Sequence, residues 1–333
     1  MPESAHARLS RDDDRIAELR QAFRPALEEA GRIVIGQEEL FEGLLIGLLC
    51  EGHVLIEGAP GLAKTLAART FARLLDLEFR RIQFTPDLLP SDLTGTPVYH
   101  PPSGEFRTRK GPIFTQILLA DEINRAPAKV QAALLEAMEE RQTTLGDETH
   151  PLPRPFMVLA TQNPLEHEGT YPLPEAQLDR FFLKLTLGYP PRQAEQAMLD
   201  THAGGAVEPP QPMLGRTILR QAQKAVTDIH LSQQLSAWLL DLIAATRAPA
   251  DHGLNNLQPL IAHGVSPRGS LCLARAARAR AFMRGRSYVV PDDILAMACP
   301  VLRHRLIPSY EAEAEGITCD DILRRILAAI DPP

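Results

Sequence analysis

Two residues with phosphate-binding chemistry, Lys64 and Thr65, stand directly after a turn rich in glycine and proline. The apolar residues 54–56 before this turn predict a short buried strand, and an amphipathic helix is expected to begin at Lys64. A loop between a strand and a helix binds phosphate well, because backbone N–H groups and the helix N-terminus face the anion. The spacing is that of a P-loop, G-x-x-x-x-G-K-[ST], except that Ala63 replaces the second glycine.

The P-loop assigns a role to each residue in it. We expect Lys64 to reach the β- and γ-phosphates of a nucleotide and Thr65 to hold Mg²⁺. The side chain of Ala63 is tolerable if its φ is negative, which a helix already beginning there predicts. The alternative is a glycine-rich turn with a chance Lys-Thr pair, and the flanking strand and helix favour the nucleotide. The expected nucleotide-binding residues are Gly58, Ala59, Pro60, Gly61, Leu62, Ala63, Lys64, Thr65 and Leu66.

Two adjacent carboxylates, Asp121 and Glu122, follow the apolar residues 117–120. This run predicts a strand, and the C-terminal ends of parallel strands are where ligands bind in open α/β sheets. We expect Asp121 to hold the Mg²⁺ shell and Glu122 to act as the base for an attacking water. An acidic strand end before a helix is the plain alternative, and the upstream P-loop favours the catalytic interpretation.

Two further segments are compatible with the same site. Residues 156–161 predict another strand, which places Asn163 beside the two carboxylates, where its amide would hold the attacking water. An Asx-type turn before Pro164 explains Asn163 equally well. Ile35, Gly36 and Gln37 lie in the kind of segment that closes over adenine, with core packing as the equal alternative.

The pattern becomes helical after a Tyr-Pro-Pro boundary at residues 189–191. Arg268 falls in the first turn of one of these helices, where a cation is disfavoured by the helix dipole, so it suggests an anionic partner. The arginines that follow it are expected to form a solvated face or intersubunit salt bridges. The predicted helices cover residues 192–201, 216–229, 232–246, 268–283, 291–305 and 319–330.

Composition limits the classes of function. The chain has 333 residues and 44% hydrophobic residues, enough for two domains, and a net charge of -7, which disfavours a nucleic-acid-coating surface. We expect no membrane insertion, because the longest apolar run is far shorter than the ~20 residues of a span. The charged N-terminus has no signal-peptide pattern, and four isolated cysteines predict reduced thiols in a cytoplasmic protein.

These motifs together resemble the MoxR family of AAA+ ATPases, in which alanine before the P-loop lysine is usual. The resemblance covers nearly the whole chain beyond the first thirty or so residues. Besides the P-loop at residues 58–65, it is carried by residues 83–92 after the second strand, 120–126 around the carboxylates, 160–181 with the sensor 1 and arginine-finger region, and 266–268 as sensor 2.

The resemblance implies an α/β fold: a P-loop AAA+ core with a parallel five-stranded sheet between helices, followed by an all-α lid domain. The core would span residues 1–190, with an N-terminal helix and two hairpin inserts at about 93–110 and 142–155, and the lid residues 191–333. It implies ATP and Mg²⁺ as cofactors and a homo-oligomeric, hexameric ring. Asn163 and Arg268 would serve ATP in their own subunit, and Arg180 would act in trans as an arginine finger.

The resemblance also implies chaperone-like work on partner proteins. The expected client is a protein with a von Willebrand factor A domain or a bound metal, and nucleic acid is not expected as a partner. Two alternatives stay open: a nucleic-acid motor or loader whose hairpins grip DNA, and an ATPase subunit of a metal-chelatase machine. Basic or aromatic residues at both hairpin tips would favour the motor, whereas the second hairpin carries Asp147 and Glu148.

Overall fold

The computed structural model describes residues 3–102, 104–164, 169–202 and 208–333. The chain forms two compact units. The sheet unit comprises Pro25–Phe181 and Leu185–Arg216, and the helical unit comprises the chain up to Arg24, Phe182–Lys184 and Thr217–Pro333. This division differs from a boundary at residue 190, because the N-terminal segment groups with the C-terminal helices and residues 185–216 group with the sheet.

Strands and helices alternate along the first two-thirds of the chain. In chain order the elements are α1 (Glu3–Ile33), α2 (Glu38–Leu49), β1 (Val54–Gly58), α3 (Lys64–Leu74), β2 (Phe79–Gln83), α4 (Pro90–Thr94), β3 (Gly95–His100), β4 (Glu105–Lys110), β5 (Ile117–Asp121), α5 (Ala128–Glu140), β6 (Gln142–Leu145), β7 (Glu148–Pro151), β8 (Met157–Gln162), α6 (Glu175–Leu178), β9 (Leu183–Leu187) and α7 (Arg192–His202).

A five-stranded sheet with the order β2-β5-β8-β1-β9 organises these elements, as the sequence predicts. β5 pairs in parallel with β2 on one side and β8 on the other, and β8 pairs in parallel with β1. All five residues of β5 are buried, as expected for a parallel strand covered on both faces. The apolar face of α5, with Val130, Leu134 and Met138, packs into the same core. The parallel register brings the C-terminal ends of these strands to one edge.

Two hairpins project at the predicted inserts. The first consists of β3 and β4, with Tyr99 opposite Phe106, and the second of β6 and β7. The first hairpin begins at Gly95, whose φ of +104° disfavours a side chain. A Cβ at Gly95 would stand 2.2 Å from the carbonyl oxygen of Arg109, and one at Gly111 would stand 2.3 Å from that of Leu93. Backbone therefore touches backbone at the hairpin base.

Helices dominate the C-terminal part of the chain. Among them is a short antiparallel pair of strands, β10 (Ile261–His263) and β11 (Ile307–Pro308), which the helical pattern does not predict. The elements are α8 (Arg216–Asp228), α9 (Gln233–Arg247), β10 (Ile261–His263), α10 (Pro267–Met283), α11 (Pro291–Leu302), β11 (Ile307–Pro308), α12 (Tyr310–Ala314) and α13 (Cys319–Ala329), with 3₁₀ turns at Pro249–His252 and Asn255–Leu260.

An ion pair is buried within the helical unit. Asp293 of α11 is 1% exposed and accepts two hydrogen bonds from Arg286, at 2.7 and 2.8 Å. Its Oδ2 also accepts from the backbone N–H of Val290 at 2.9 Å, and Arg280 lies 3.9 Å from Oδ1. The pKa of Arg286 is raised, mainly by its hydrogen bonds to Asp293.

In the described parts of the chain, no helix has the length and apolar character needed to cross a membrane.

Candidate functional site

The P-loop connects β1 to α3 and contains two residues in the left-handed region. Gly61 has φ +86° and Ala63, directly before the helix, has φ 55°. The expectation of a negative φ at Ala63 is therefore wrong: the backbone has not yet become helical there, and the alanine takes a conformation that glycine adopts more easily. Nζ of Lys64 donates a 2.6 Å hydrogen bond to the carbonyl oxygen of Gly58, across the loop. The lysine thus spans the concavity in which phosphates are expected.

Leu66, the last residue of the expected nucleotide-binding set, lies on an exposed face of α3. It is 39% exposed and lines a cavity of about 250 Å³ together with Ile33, Arg69 and Thr70. Leu62, by contrast, is buried at 7% exposure. The Leu62 side chain packs in the interior, the Leu66 side chain is accessible, and nucleotide binding by both residues stays a prediction.

Asp121 ends β5 with both carboxylate oxygens engaged. Oδ1 accepts a 2.5 Å hydrogen bond from the hydroxyl of Thr161 in β8. Oδ2 accepts two hydrogen bonds from Arg81 in β2, at 3.0 Å from Nε and 2.7 Å from Nη2. The Asp121 side chain is only 12% exposed, so its charge needs these partners.

Glu122 follows in a left-handed conformation, with φ 56°, which turns the chain out of the strand. Its backbone N–H donates to the Thr161 hydroxyl at 2.9 Å, so one threonine holds both acidic residues. Its Oε2 accepts a 2.8 Å hydrogen bond from Nε2 of Gln83 and lies 3.3 Å from Nη1 of Arg125. Two polar neighbours thus orient the carboxylate at the sheet edge.

Asn163 comes directly after β8, between the ends of β5 and β1. Its residue is buried at 6% exposure. The strand register places Thr161 opposite Ile56 of β1, so the segment after β8 lies beside the start of the P-loop. This location is compatible both with holding a water and with a structural turn, and the role of Asn163 stays a prediction.

Arg180 lies against helix α5 of its own subunit. Its Nη1 donates to the carbonyl oxygen of Leu135 at 2.9 Å and pairs with the carboxylate of Glu139. The side chain is 32% exposed. Its function in trans stays a prediction, which requires that the arginine leave Glu139.

The remaining predicted residues lie elsewhere. Gly36 has φ +76°, and a Cβ there would stand 2.8 Å from that of Ala194, while Gln37 is 7% exposed. These contacts support core packing for the segment, and its contact with adenine stays a prediction. Arg268 belongs to the helical unit, in the first turn of α10 behind Ser266.

Sequence reasoning assigned no role to four residues that touch the carboxylates: Arg81, Gln83, Arg125 and Thr161. Arg81 and Gln83 are two positions apart in β2, so they point to the same side, and Gln83 stands opposite Asp121 in the strand register. In the sequence, the alternation of Arg81 and Gln83 at the end of a strand indicates two polar side chains on one side of it. Only the pairing of β2 with β5 shows that these side chains contact the carboxylates.

The residues present fit a nucleotide with Mg²⁺. Asp121 and Thr65 would supply the hard oxygen ligands that Mg²⁺ prefers. The guanidinium on Oδ2 of Asp121 shows that this carboxylate accepts a positive charge at that position. The left-handed residues of the loop form the backbone concavity that binds anions.

Comparison with known proteins agrees with this geometry. The ATPase family associated with various cellular activities (AAA) matches residues 53–183, and the AAA lid domain matches residues 255–326. Chaperone MoxR1 of Mycobacterium tuberculosis (strain ATCC 25618 / H37Rv) is 47% identical over 92% of this chain and 81% of its own length. Protein MoxR of Paracoccus denitrificans is 34% identical over 92% of this chain and 95% of its own length.

Solved structures show the same architecture. A candidate ATPase from Cytophaga hutchinsonii ATCC 33406 superposes with a TM-score of 0.91 and 44% identity, over 98% of this chain and 99% of the other. A full-length MCM homologue from Methanopyrus kandleri shares the fold at a TM-score of 0.57 and 22% identity, over 89% of this chain and 62% of the other. The sheet unit and the C-terminal helices therefore correspond to an AAA domain and its lid.

Proposed function

Because the chain belongs to the MoxR family of AAA+ ATPases, we propose that it hydrolyses ATP with Mg²⁺ and uses the energy to remodel or activate a client protein. The observation that carries the ATPase proposal is the arrangement of Asp121 and Glu122. Both are tied to one buried hydroxyl, that of Thr161, at the sheet edge next to the P-loop. Such a pair divides the work between holding a metal and activating water.

Each residue has a defined part in this reaction. Lys64 releases the carbonyl of Gly58 and donates to the β- and γ-phosphates, while the backbone N–H groups of the loop hold the phosphate oxygens. Thr65 and Asp121 would hold the metal, which neutralises charge that develops on the phosphates. Glu122 accepts the proton of the attacking water.

Variants of two residues separate binding from turnover. Glu122→Gln keeps the phosphate-binding loop and is expected to bind ATP normally while turnover falls at least about 100-fold, the contribution usual for a general base. Lys64→Ala is expected to weaken binding itself. The measurements are the affinity for a fluorescent ATP analogue and phosphate release. Wild-type hydrolysis by Glu122→Gln would refute the role of Glu122.

We further propose a hexameric ring in which Arg180 acts on the nucleotide of a neighbouring subunit. The Arg180 side chain and that of its partner Glu139 are both partly exposed, which supports a guanidinium that can leave Glu139 and reach a neighbouring subunit. Arg180→Ala is expected to bind ATP and lose turnover. Mixed rings of Arg180→Ala and Lys64→Ala subunits should regain part of it, since some interfaces then combine an intact loop with an intact finger. The absence of rescue in mixed rings confirmed by native mass spectrometry would contradict this assignment.

The first hairpin is the proposed client contact. Tyr99 and Phe106 are 52% and 72% exposed, and their ring centroids lie 5.4 Å apart. This aromatic pair makes the hairpin less polar than the sequence suggests, and exposed aromatic residues are typical anchors of protein interfaces. The tip of the second hairpin, with acidic Asp147, lies near this pair: a Cβ at Gly146 would stand 3.3 Å from Pro97, which is on the same side of β3 as Tyr99. The nearby acidic tip favours a protein over a polyanion.

The expected client is a protein with a von Willebrand factor A domain or a bound metal, as the family resemblance implies. Deleting residues 97–106 is expected to abolish a client's effect on ATPase and to leave basal turnover. Replacing both Tyr99 and Phe106 with serine should do the same, whereas Glu105→Gln, on the other face of the hairpin, should not. Strong, salt-sensitive stimulation by DNA, lost on the same deletion, would instead establish a nucleic-acid motor.

We also propose a cytoplasmic location, supported by the thiols. The four cysteines, all in the described part of the chain, form no disulfide, and Cys50 and Cys272 are buried. Burial raises the pKa of the Cys299 and Cys319 thiols, which keeps them protonated and weakly reactive. Such thiols suit a reducing compartment.

A further inference from the structure

Arg81 binds the proposed metal ligand Asp121, yet it has no part in the proposed reaction. Its guanidinium binds Oδ2 of Asp121 through two nitrogens, and the same Nη2 donates to Oε1 of Gln83 at 2.7 Å. Gln83 in turn donates to Glu122. One continuous chain of hydrogen bonds therefore runs from Arg81 to both acidic residues.

The charges in this chain explain why an arginine stands there. Asp121 is nearly buried, and a buried carboxylate without a cation or full hydrogen bonding is strongly destabilised. Arginine cannot give up its proton in a protein, so this cation is present at every pH. The Arg81 side chain is itself 46% exposed, so it can swing into solvent and leave the aspartate.

We propose that Arg81 is a placeholder cation: it neutralises Asp121 before nucleotide arrives and must release Oδ2 when Mg²⁺ binds. The inference rests on the proposed function, because it needs Asp121 to hold the metal. Two positive charges on one carboxylate repel each other, so Arg81 lowers the affinity for the metal. When Arg81 leaves Asp121, it also leaves Gln83, and Gln83 can then release the carboxylate of Glu122. Arg81 is thus a positioning residue that couples arrival of the metal to release of the base.

Metal affinity tests this directly. Mn²⁺ replaces Mg²⁺ in an electron paramagnetic resonance titration with saturating ADP, so that no turnover is needed. Arg81→Ala is expected to bind Mn²⁺ on the order of tenfold more tightly than the wild type, the effect of removing one neighbouring like charge. Arg80→Ala is the matched control, because Arg80 directly precedes Arg81 in the same strand, points to the other side of it, and pairs with Glu78 at 3.1 Å. It should leave Mn²⁺ affinity unchanged.

Two more variants separate this inference from the proposed function. Asp121→Asn should lose most of the Mn²⁺ affinity; if it does not, the metal role of Asp121 is wrong. Arg81→Lys keeps the charge and should stay within about threefold of the wild type, well short of the tenfold effect. If Arg81→Ala does not fold, Arg81→Lys still tests the inference. Tighter Mn²⁺ binding by this variant would contradict the idea that the positive charge at residue 81 competes with the metal. Unchanged or weaker Mn²⁺ binding by a folded Arg81→Ala overturns the inference, provided that Asp121→Asn loses affinity.

Discussion

Replacing Thr161 with valine is the sharpest test of how the two acidic residues are held. Thr161 is fully buried, and its hydroxyl donates to Asp121 at 2.5 Å and accepts from the N–H of Glu122 at 2.9 Å. Valine keeps the shape and removes both hydrogen bonds. A buried polar group that loses its partner costs about 1–3 kcal/mol. Oδ2 of Asp121 keeps its hydrogen bonds from Arg81, so the loss of both Thr161 bonds costs about 2–5 kcal/mol.

This cost is large enough to measure by melting. In a unit of this size each kcal/mol shifts the Tm by about 2–4 °C, which gives a fall of about 10 °C for Thr161→Val. The assay is thermal unfolding followed by far-UV circular dichroism, with ATP turnover measured in parallel. Thr161→Ser is the control: it keeps the hydroxyl and loses one buried methyl group, worth about 1 kcal/mol. Equal melting temperatures for the valine and serine variants would refute the claim that this hydroxyl organises the site.

Two further predictions concern the backbone of the P-loop and the buried ion pair. Ala63→Gly relieves the left-handed strain and should raise the Tm by about 2–4 °C, corresponding to about 1 kcal/mol; a lower Tm would contradict the strain. Arg286→Ala leaves Asp293 buried without its main cation and should destabilise the helical unit by about 3 kcal/mol, read from the fluorescence of Trp238 during urea unfolding. The control, Arg324→Ala, removes an exposed pair and should cost less than about 0.5 kcal/mol, and equal losses from the two arginines would contradict the assigned cost of burial.

The five strands of the central sheet and the longer helices were predictable, because their apolar patterns are local in the sequence, whereas the short pair β10 and β11 was not. The P-loop is one continuous stretch, so Lys64 could be placed at the start of a helix from sequence alone. The same holds for Asp121 at the end of a buried strand. Both predictions depend on period and spacing within about ten residues, where sequence patterns are most informative.

Contacts between distant segments were not predictable in this way. Arg81 reaches Asp121 only because β2 pairs with β5 in one register, and a shift by one residue would point it to the other face of the sheet. The left-handed φ of Ala63 was missed for a related reason, because loop closure rather than helix propensity decides it. The exposure of Tyr99 and Phe106 likewise depends on the hairpin register, which sequence spacing left open.

The close approach of two backbone segments at Gly95 and Gly111 separates the first hairpin from the sheet as a segment that can be exchanged. Residues 96–110 lie between these two glycines, where neither position tolerates a side chain, and Pro97 also lies near Gly146 of the second hairpin. We expect that hairpins of other sequence can be grafted between the two glycines while the sheet stays intact. If the first hairpin is the client contact proposed above, client preference can be changed there by engineering, or can diverge between relatives, without altering the residues proposed to bind nucleotide.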